Sequence, residues 1–585
     1  MSHLPVVLRR HAVAPLALCA GLGLTGLGFT ACAPLGPSSA GGSTAPASAL
    51  PVPATRAERT GYLETSSHAD VLAFIDSLVA RGAPITVREL AQSPSGRTLP
   101  LLIASRPQVA TPEAARKLGR PIVYVQANIH AGEVEGKEAI LALLRDWSAS
   151  RRPTVLDSLV VIVVPIYNAD GNEKLADQAR NRGEQNGPVL VGERPNGQGF
   201  DLNRDYIKAE APETRGSLAA FNAWDPDVFM DLHTTDGSFH GYALTYSPSL
   251  HPAAPLGLYT ADTLLTEIQR RMQTRHTFAT FPYGNFASAG GRGEALTATA
   301  KSGWYTYEHK PRYGTNYYGL RGRISILSEA FSHDPFARRV ASTRAFVQEA
   351  LSLVAERRAE VLAHSAAGTA KSTAGAGLTA PVPVRARFTS RPDTAAVLVE
   401  VLERLADSTV RTEPGTPRGI RRTGRIIAQR MPVVDRFESA LSRMPTSYGY
   451  VLAPRWAKPV ALLRLHGILV DSLPRAMTAT VQQFWVDSVA MSARPFQGHR
   501  EASLTGRWRD TTLTLPAGTL LIPTTNRLGL LAMQLLEPES DDGLVTWNVF
   551  DEALSRGAVA PVARLTAPLR LYSPDHEART LPSRR

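Results

Sequence analysis

Residues 121–136 read PIVYVQANIHAGEVEG, and this stretch decides how the fold is interpreted. Its first part is an apolar run without polar interruption, which is typical of a strand covered on both faces of a sheet. His130 and Glu133 follow directly, and the next segment, EGKEAILALLRDWSAS (135–150), has the spacing of an amphipathic helix. A histidine and a carboxylate three residues apart are either two ligands of one metal ion or an ordinary polar turn. The rest of the chain has to distinguish the two.

Three further apolar runs have the same continuous character, namely LVVIVVPIY (159–167), DVFMDLHTT (227–235) and RISILSEAF (323–331). Segments with helical spacing separate them. This alternation predicts an α/β fold in which a mixed, largely parallel sheet is flanked by helices. After residue 380, shorter runs such as TLTLPAGTLLIPT, interrupted by Pro and Gly, predict a smaller mixed or β-rich domain.

Polar residues with distinctive chemistry follow each of the four runs. The first run leads to His130 and Glu133, the third ends in His233, and the fourth ends in Glu329. The second leads to Asn168, which we interpret as a turn residue or as a group that orients a ligand. Because ligands bind beyond the carboxyl ends of the strands in open α/β sheets, these residues are expected to meet at one edge.

Two neutral imidazoles and one carboxylate form a ligand set for catalytic Zn²⁺, with one position left for water. His130, Glu133 and His233 supply that set. A further carboxylate must take the proton of the attacking water and pass it to the leaving amine, and Glu329 is the candidate. Asp231, two residues before His233, is expected to face away from the site and is not counted among its groups.

The segment DLNRD (201–205) offers a cation to the same site. Arg204, beside Asn203, has a guanidinium that suits two roles. It could stabilise an anionic tetrahedral intermediate, or it could bind the terminal carboxylate of a substrate bidentately. The residues alone leave both roles open.

Taken in order, HAGE, DLNR, DLHTT and SEAF resemble the motifs of the zinc carboxypeptidases of the carboxypeptidase A type, over roughly residues 60–350. The resemblance implies a peptide substrate, the same three zinc ligands and Glu329 as the catalytic glutamate. It also assigns Asn203 and Arg204 to the substrate's terminal carboxylate.

The resemblance further implies an arginine that stabilises the oxyanion and precedes the DLNR element. Three residues are available in QARNRGEQNGPVLVGERPNG, and we choose Arg182 over Arg180 and Arg194.

The family's mobile tyrosine corresponds to Tyr307 by its spacing from Glu329, or to Tyr313 by the surrounding sequence RYGTNYYG. The position that sets side-chain preference falls near Gly314 and Thr315, where there is no charge that would indicate a specificity.

The composition is that of a soluble globular protein, with 43% apolar and 20% charged residues. The net charge of +12 comes from 56 Arg and 8 Lys, and these are spread along the chain without a basic block. A nucleic-acid-binding protein more often concentrates such charge on one helix or arm, so nucleic acid is not expected as a partner.

The N-terminus has the pattern of a secretory signal, in which Arg9 and Arg10 precede a long apolar run that closes on FTAC. The closing box resembles a bacterial lipoprotein site, which makes Cys32 a candidate lipid anchor at the cell envelope. Phe29 stands where Leu is usual in that box, so plain cleavage and an uncleaved anchor are the alternatives. The only other cysteine is Cys19, so no disulfide is expected after residue 32. The predicted organisation is a signal peptide (1–32), a flexible tether (33–55), a catalytic domain (56–364), a linker (365–380) and an accessory domain (381–585).

The resulting hypothesis is an exported zinc metallopeptidase that removes C-terminal residues from peptides. Two alternatives remain at this point. One is a zinc amidase that acts on peptidoglycan stem peptides or acyl amino acids. The other is a binding protein with the same fold that has lost turnover, although all four expected site residues are present.

Overall fold

The computed structural model describes residues 52–288, 297–299, 302–375 and 377–569. The predicted signal peptide, Cys32 and nearly all of the predicted tether lie outside these residues. These described residues belong to one compact unit. Within the described ranges, no helix has the length and apolar character needed to span a membrane.

An eight-stranded sheet organises the N-terminal part of the chain. Its strands are β1 (Ile85–Gln92), β2 (Thr98–Ala104), β3 (Ile122–Ala127), β4 (Val160–Val164), β5 (Val228–Thr234), β6 (Leu244–Pro248), β7 (Thr280–Pro282) and β8 (Ile324–Ala330). Their order in the sheet is β1-β2-β4-β3-β5-β8-β6-β7. The neighbouring strands β4, β3, β5 and β8 run parallel, whereas the pairs β1–β2, β2–β4 and β8–β6 are antiparallel. The predicted mixed, largely parallel sheet is therefore confirmed.

Helices cover the sheet, which explains the uninterrupted apolar runs. Every residue of β3, β4, β5 and β8 is buried. The helix Glu135–Ala149 packs beside the helix Phe336–Glu356, where the Trp147 indole N–H donates to Gln348 Oε1 at 2.7 Å. Because β3, β5 and β8 are neighbours in the middle of the sheet, their carboxyl ends form one continuous edge.

The remaining helical segments lie around this sheet and in the C-terminal part. They are Arg56–Arg59, His68–Ala80, Pro112–Lys117, Val155–Asp157, Ala169–Glu173, Gln178–Asn181, Leu202–Arg204, Pro212–Trp224, Gly257–Tyr259, Thr260–Leu265, Thr266–His276, Gly314–Leu320, Arg358–Lys371, Ala457–Leu465, Gly529–Leu536 and Asp551–Ala553.

The C-terminal region is β-rich, as predicted, and it shares the main hydrophobic core with the sheet. Tyr450 and Phe484 lie in the same cluster of buried side chains as Val125 of β3. The predicted linker over 365–380 is wrong for its first half, because the helix Arg358–Lys371 continues through it. Leu378, in the second half, is buried in the same core cluster.

The remaining strands of the described structure range from two to 15 residues in length. They are Ala176–Asp177, Leu190–Val191, Asn285–Ser288, Ser302–Tyr305, Val382–Thr389, Ala395–Arg404, Ile420–Met431, Val433–Val434, Arg436–Arg443, Tyr450–Leu452, Asp471–Ser472, Met477–Met491, Ala502–Leu515, Leu520–Ile522 and Val559–Leu565.

Candidate metal centre and active site

His130, Glu133 and His233 converge at the carboxyl edge of the sheet. The first two lie in the loop after β3, and His233 is the sixth residue of β5. His130 Nδ1 is 2.9 Å from Glu133 Oε1, and His233 Nδ1 is 3.0 Å from Glu133 Oε2. All three side chains are buried. The structure thus brings together the three ligands predicted from the sequence.

These three residues fit a zinc ion. One ligand atom from each lies within 4.8 Å of the others. Ligands of tetrahedral Zn²⁺ are roughly 3.3 Å apart, given bonds of about 2.0–2.1 Å, so the observed 2.9 and 3.0 Å contacts are close to what an ion needs. Two imidazoles and one carboxylate also form a donor set found in catalytic rather than structural zinc sites.

The loop that carries His130 and Glu133 has little room for side chains. Asn128, with a φ of 63°, turns the chain after β3, and its side-chain amide donates to the carbonyl oxygens of Ala131 and Glu133. A Cβ on Gly132 would lie 2.6 Å from Arg182 Cγ and 2.9 Å from the Gly192 oxygen. Glycine is therefore required at the position before the metal-binding glutamate.

Each histidine has a second carboxylate behind it. His130 Nε2 is 3.1 Å from Asp201 Oδ1, and His233 Nε2 is 3.1 Å from Asp231 Oδ2. The expectation that Asp231 faces away was wrong, because residues two apart in a strand share a face. Such carboxylates orient a metal-binding imidazole and raise its basicity. The D-x-H spacing in DLH was a signal for this contact.

Glu133 is held ionised by its surroundings. Burial opposes its charge, but His130 and Arg182 outweigh this and keep the pKa of the Glu133 carboxyl well below its ordinary value. The Thr234 backbone N–H also donates to Glu133 Oε2 at 3.1 Å. An ionised carboxylate is what a metal ligand requires.

Glu329 lies on β8, directly beside β5, and is paired in register with His233. Its side chain is buried, and it makes no hydrogen bond or ion pair with the residues that the structure describes. Burial raises the pKa of the Glu329 carboxyl well above its ordinary value, and the nearby Glu133 charge acts in the same direction. An unpaired, raised-pKa carboxyl beside a metal site has the properties of a proton acceptor.

Arg182 and Arg194 occupy different places. Arg182 lies behind the ligands, where Nη1 donates to Glu133 Oε1 at 3.0 Å and Nη2 donates to the Thr235 carbonyl oxygen at 3.1 Å. Arg194 lines the cavity at the centre and donates from Nε to Asp201 Oδ2 at 2.9 Å. The geometry therefore favours Arg194 over our sequence-based choice of Arg182 as the arginine that meets substrate.

Asn168 supports this arrangement. Its side-chain oxygen accepts from the Gly171 backbone N–H at 2.8 Å, as a turn residue does. Its Nδ2 donates to the Arg194 carbonyl oxygen at 3.0 Å. Asn168 is therefore a turn residue, and its amide contacts the backbone of Arg194 rather than a metal ligand.

Asn203 and Arg204 line the same cavity. Asn203 Oδ1 accepts from the Gly314 backbone N–H at 2.9 Å. The guanidinium carbon of Arg204 lies 4.2 Å from the centre of the Tyr313 ring, and Arg204 Nη1 donates to the Asn203 carbonyl oxygen. We call Asn203 and Arg204 the carboxylate clamp. The clamp is thus held in place by the loop around Tyr313.

Tyr307 and Tyr313 both line the cavity, with ring centres 5.1 Å apart. The Tyr307 hydroxyl is buried and has no hydrogen-bond partner among the described residues. Burial raises the pKa of this phenol, which therefore remains a hydrogen-bond donor. Thr315 and Leu327 also line the cavity, and neither carries a charge. Both tyrosines remain candidates for contact with substrate.

Comparisons with known proteins show which proteins the chain is similar to. Residues 71–318 match the family model of the zinc carboxypeptidases. A protein called carboxypeptidase 2 from Trichophyton equinum is 24% identical over 497 residues, which are 81% of each chain, and its namesake from Trichophyton rubrum is 23% identical over 498 residues. A metallo-carboxypeptidase structure from Burkholderia cenocepacia aligns at 19% identity and a TM-score of 0.35, covering 49% of this chain and 68% of that one. Over residues 71–318 the chain is therefore similar to the zinc carboxypeptidase family.

Proposed function

We propose that this chain is a zinc-dependent metallocarboxypeptidase that releases C-terminal residues from peptides. One observation carries the proposal. His130, Glu133 and His233 converge within bonding reach of one ion, while the neighbouring Glu329 has no partner among the described residues. The family match over residues 71–318 supports the same activity.

Zn²⁺ held by the three ligands supplies the Lewis acidity that makes water nucleophilic near neutral pH and that polarises the scissile carbonyl. Asp201 and Asp231 hold the two imidazoles in the orientation needed for binding. Arg182 keeps the carboxylate of Glu133 in place from behind.

Glu329 moves the proton. Its carboxylate accepts a proton from the attacking water and then donates it to the nitrogen of the leaving amino acid. The positive charge of a bound ion favours the carboxylate form, which offsets the rise in pKa caused by burial. The pKa is thereby brought toward the range in which a group can both accept and donate a proton at neutral pH.

The clamp sets where the peptide is cut. Arg204 can form two parallel hydrogen bonds to a terminal carboxylate, and Asn203 can donate from its side-chain amide because its oxygen is already used by Gly314. Arg194 Nη1 lies 3.1 Å from His130 Nδ1, the ring nitrogen that also faces Glu133, so the guanidinium can stabilise the oxyanion. A free C-terminus is therefore the expected requirement of the substrate.

A test combines metal analysis with mass spectrometry of digested peptides. The purified protein is expected to contain one zinc per chain and to release single residues from a peptide with a free C-terminus. It should not act on the same peptide as a C-terminal amide, and a chelator should abolish release. Cleavage of cell-wall fragments in the absence of peptide cleavage would contradict the proposal and favour an amidase, and one bound zinc without any hydrolysis would indicate a binding protein.

We also propose that the protein is exported and anchored through Cys32, on the basis of the signal-like segment at residues 1–32. Membrane fractions of a bacterial host should contain the protein together with a labelled fatty acid. A Cys32→Ser variant should lose the label and appear in the soluble fraction. An unlabelled protein with unchanged distribution would contradict the proposed anchor.

A further inference from the structure

We propose that residues 492–501, from the C-terminal region, position the carboxylate clamp and so belong to the substrate-binding apparatus. This inference rests on the proposed carboxypeptidase function. The segment joins the two long strands Met477–Met491 and Ala502–Leu515, and we call it the hairpin loop. It lies outside the part of the chain that matches the zinc carboxypeptidase family model.

The first contact comes from Gln497. Its Oε1 accepts from the backbone N–H of Asp201 at 2.9 Å, although the two residues are 296 positions apart. The Asp201 side chain in turn accepts from the Asn203 backbone N–H at 2.9 Å and contacts His130 and Arg194. One side-chain amide oxygen of the hairpin loop thus holds Asp201, the first residue of the DLNR segment.

The backbone of the hairpin loop indicates that this contact is specific. Phe496 and His499 exchange backbone hydrogen bonds of 2.7 and 3.0 Å around a two-residue turn, Gln497–Gly498. Both turn residues have positive φ, 50° and 82°. Asn, Asp or Gly is preferred at the first of these positions, and a longer side chain is strained there. The contact with Asp201 supplies a reason for glutamine.

Two further side chains of the hairpin loop reach the same region. His499 Nε2 is 3.0 Å from Glu210 Oε1, at the far end of the segment that begins with Asp201. Glu501 Oε1 accepts from Arg312 Nη2 at 2.5 Å. The hairpin loop therefore holds both ends of residues 201–210 and also contacts the segment that carries Tyr313.

Arg312 connects the hairpin loop to the clamp from its other side. It is buried, and its Nε and backbone N–H donate to Asp542 at 2.9 and 2.7 Å. The next two residues touch the clamp directly, since Tyr313 covers the Arg204 guanidinium and the Gly314 N–H donates to Asn203 Oδ1. Displacing Arg312 would move both of these contacts.

The contact between Gln497 and Asp201 is tested with the variants Gln497→Asn and Gln497→Gly in the full chain. Both residues tolerate positive φ, but asparagine is one methylene too short to reach Asp201 and glycine has no acceptor. KM for a free-C-terminus peptide should rise about tenfold, the scale of one lost hydrogen bond, while kcat changes by less than about threefold. The Ki of an N-acyl amino acid should rise in parallel, because it presents the same carboxylate.

A second variant tests the other side of the clamp. Glu501→Ala removes the contact with Arg312 while Asp542 remains, and KM should again rise. Asp487→Ala is the matched control, because it breaks the exposed ion pair with Arg507 on the same two strands and should leave KM unchanged.

Zinc content and thermal stability separate positioning from simple damage. Gln497→Gly should retain one zinc per chain and an unchanged or higher Tm, since the strained residue is replaced. Unchanged KM and Ki in the Gln497 variants would overturn the inference, as would a loss of activity that only follows loss of zinc or Tm. An inactive wild-type protein would instead overturn the proposed function.

Discussion

Replacing Glu329 with glutamine removes the proposed proton carrier and little else. The amide has nearly the same size and shape as the carboxyl. Glu329 is not one of the three zinc ligands, and it forms no hydrogen bond or ion pair with the described residues. The substitution therefore leaves no partner unpaired. We expect one zinc per chain in the variant.

The size of the effect follows from the chemistry and from burial. Loss of a general acid–base group typically lowers turnover by about 10²–10⁴, so we expect hydrolysis to fall at least about a hundredfold, or about 2.7 kcal/mol in barrier height. The thermal stability of the metal-free protein should not fall along with the activity. The raised pKa of Glu329 means that its charge is unfavourable in the folded, metal-free protein. A neutral amide removes this penalty above the ordinary glutamate pKa, so the Tm of the chelated variant should equal or exceed that of wild type.

The assay is release of C-terminal residues under zinc-saturated conditions, together with zinc content and Tm. Asp236→Asn is the control, because Asp236 is the other uncoordinated carboxylate that lines the cavity. It is 42% exposed and 3.5 Å from Arg182, so water and a guanidinium already satisfy it, and its loss should reduce turnover by no more than a few fold. Near-normal turnover in Glu329→Gln, or a greater loss in Asp236→Asn, would refute the assignment.

Three further predictions concern substrate binding, the roles of the two arginines and the pH dependence of stability. Arg204→Lys keeps the charge but loses the planar fork, so KM for free-C-terminus peptides should rise about tenfold in steady-state assays. Arg194→Lys should lower kcat about a hundredfold while the protein keeps its zinc. Arg182→Lys should weaken zinc affinity about tenfold or more in a competition titration, because Arg182 supports Glu133. The reverse result would exchange the roles of the two arginines. Burial raises the pKa of Glu213 to about 7, so the folded protein binds a proton that the unfolded chain has lost and its stability falls as pH rises from about 4.5 to about 7. In urea unfolding with zinc saturated, Glu213→Gln should gain about 2–3 kcal/mol relative to wild type between pH 5 and pH 8, and a pH-independent difference would contradict this.

The ligand set was predictable because it depends on local rules. A strand buried on both faces has to be apolar, so β3, β5 and β8 were visible as uninterrupted runs. The polar residues that end such runs lie at a common edge once the strands are parallel neighbours. His130 and His233 could therefore be placed together from the sequence.

Other features were missed or misplaced for physical reasons. The linker over 365–380 was inferred from small residues, but alanine-rich sequence is also good helix-forming sequence, and Arg358–Lys371 is helical. Asp231 was expected to face away from His233, but residues two apart in a strand lie on the same face. Asp201 was assigned no role from the sequence, because its contact with His130 joins segments 71 residues apart.

By itself the sequence determined the order of the strands along the chain and which residues are candidates for the zinc ligands and the proton carrier. Only the tertiary structure decided that Arg194 rather than Arg182 faces the cavity and that Gln497 meets Asp201. The reason is that strand burial and alternation are short-range properties. A contact between segments hundreds of residues apart depends on how the whole sheet and the C-terminal region pack together, and no local pattern records that packing.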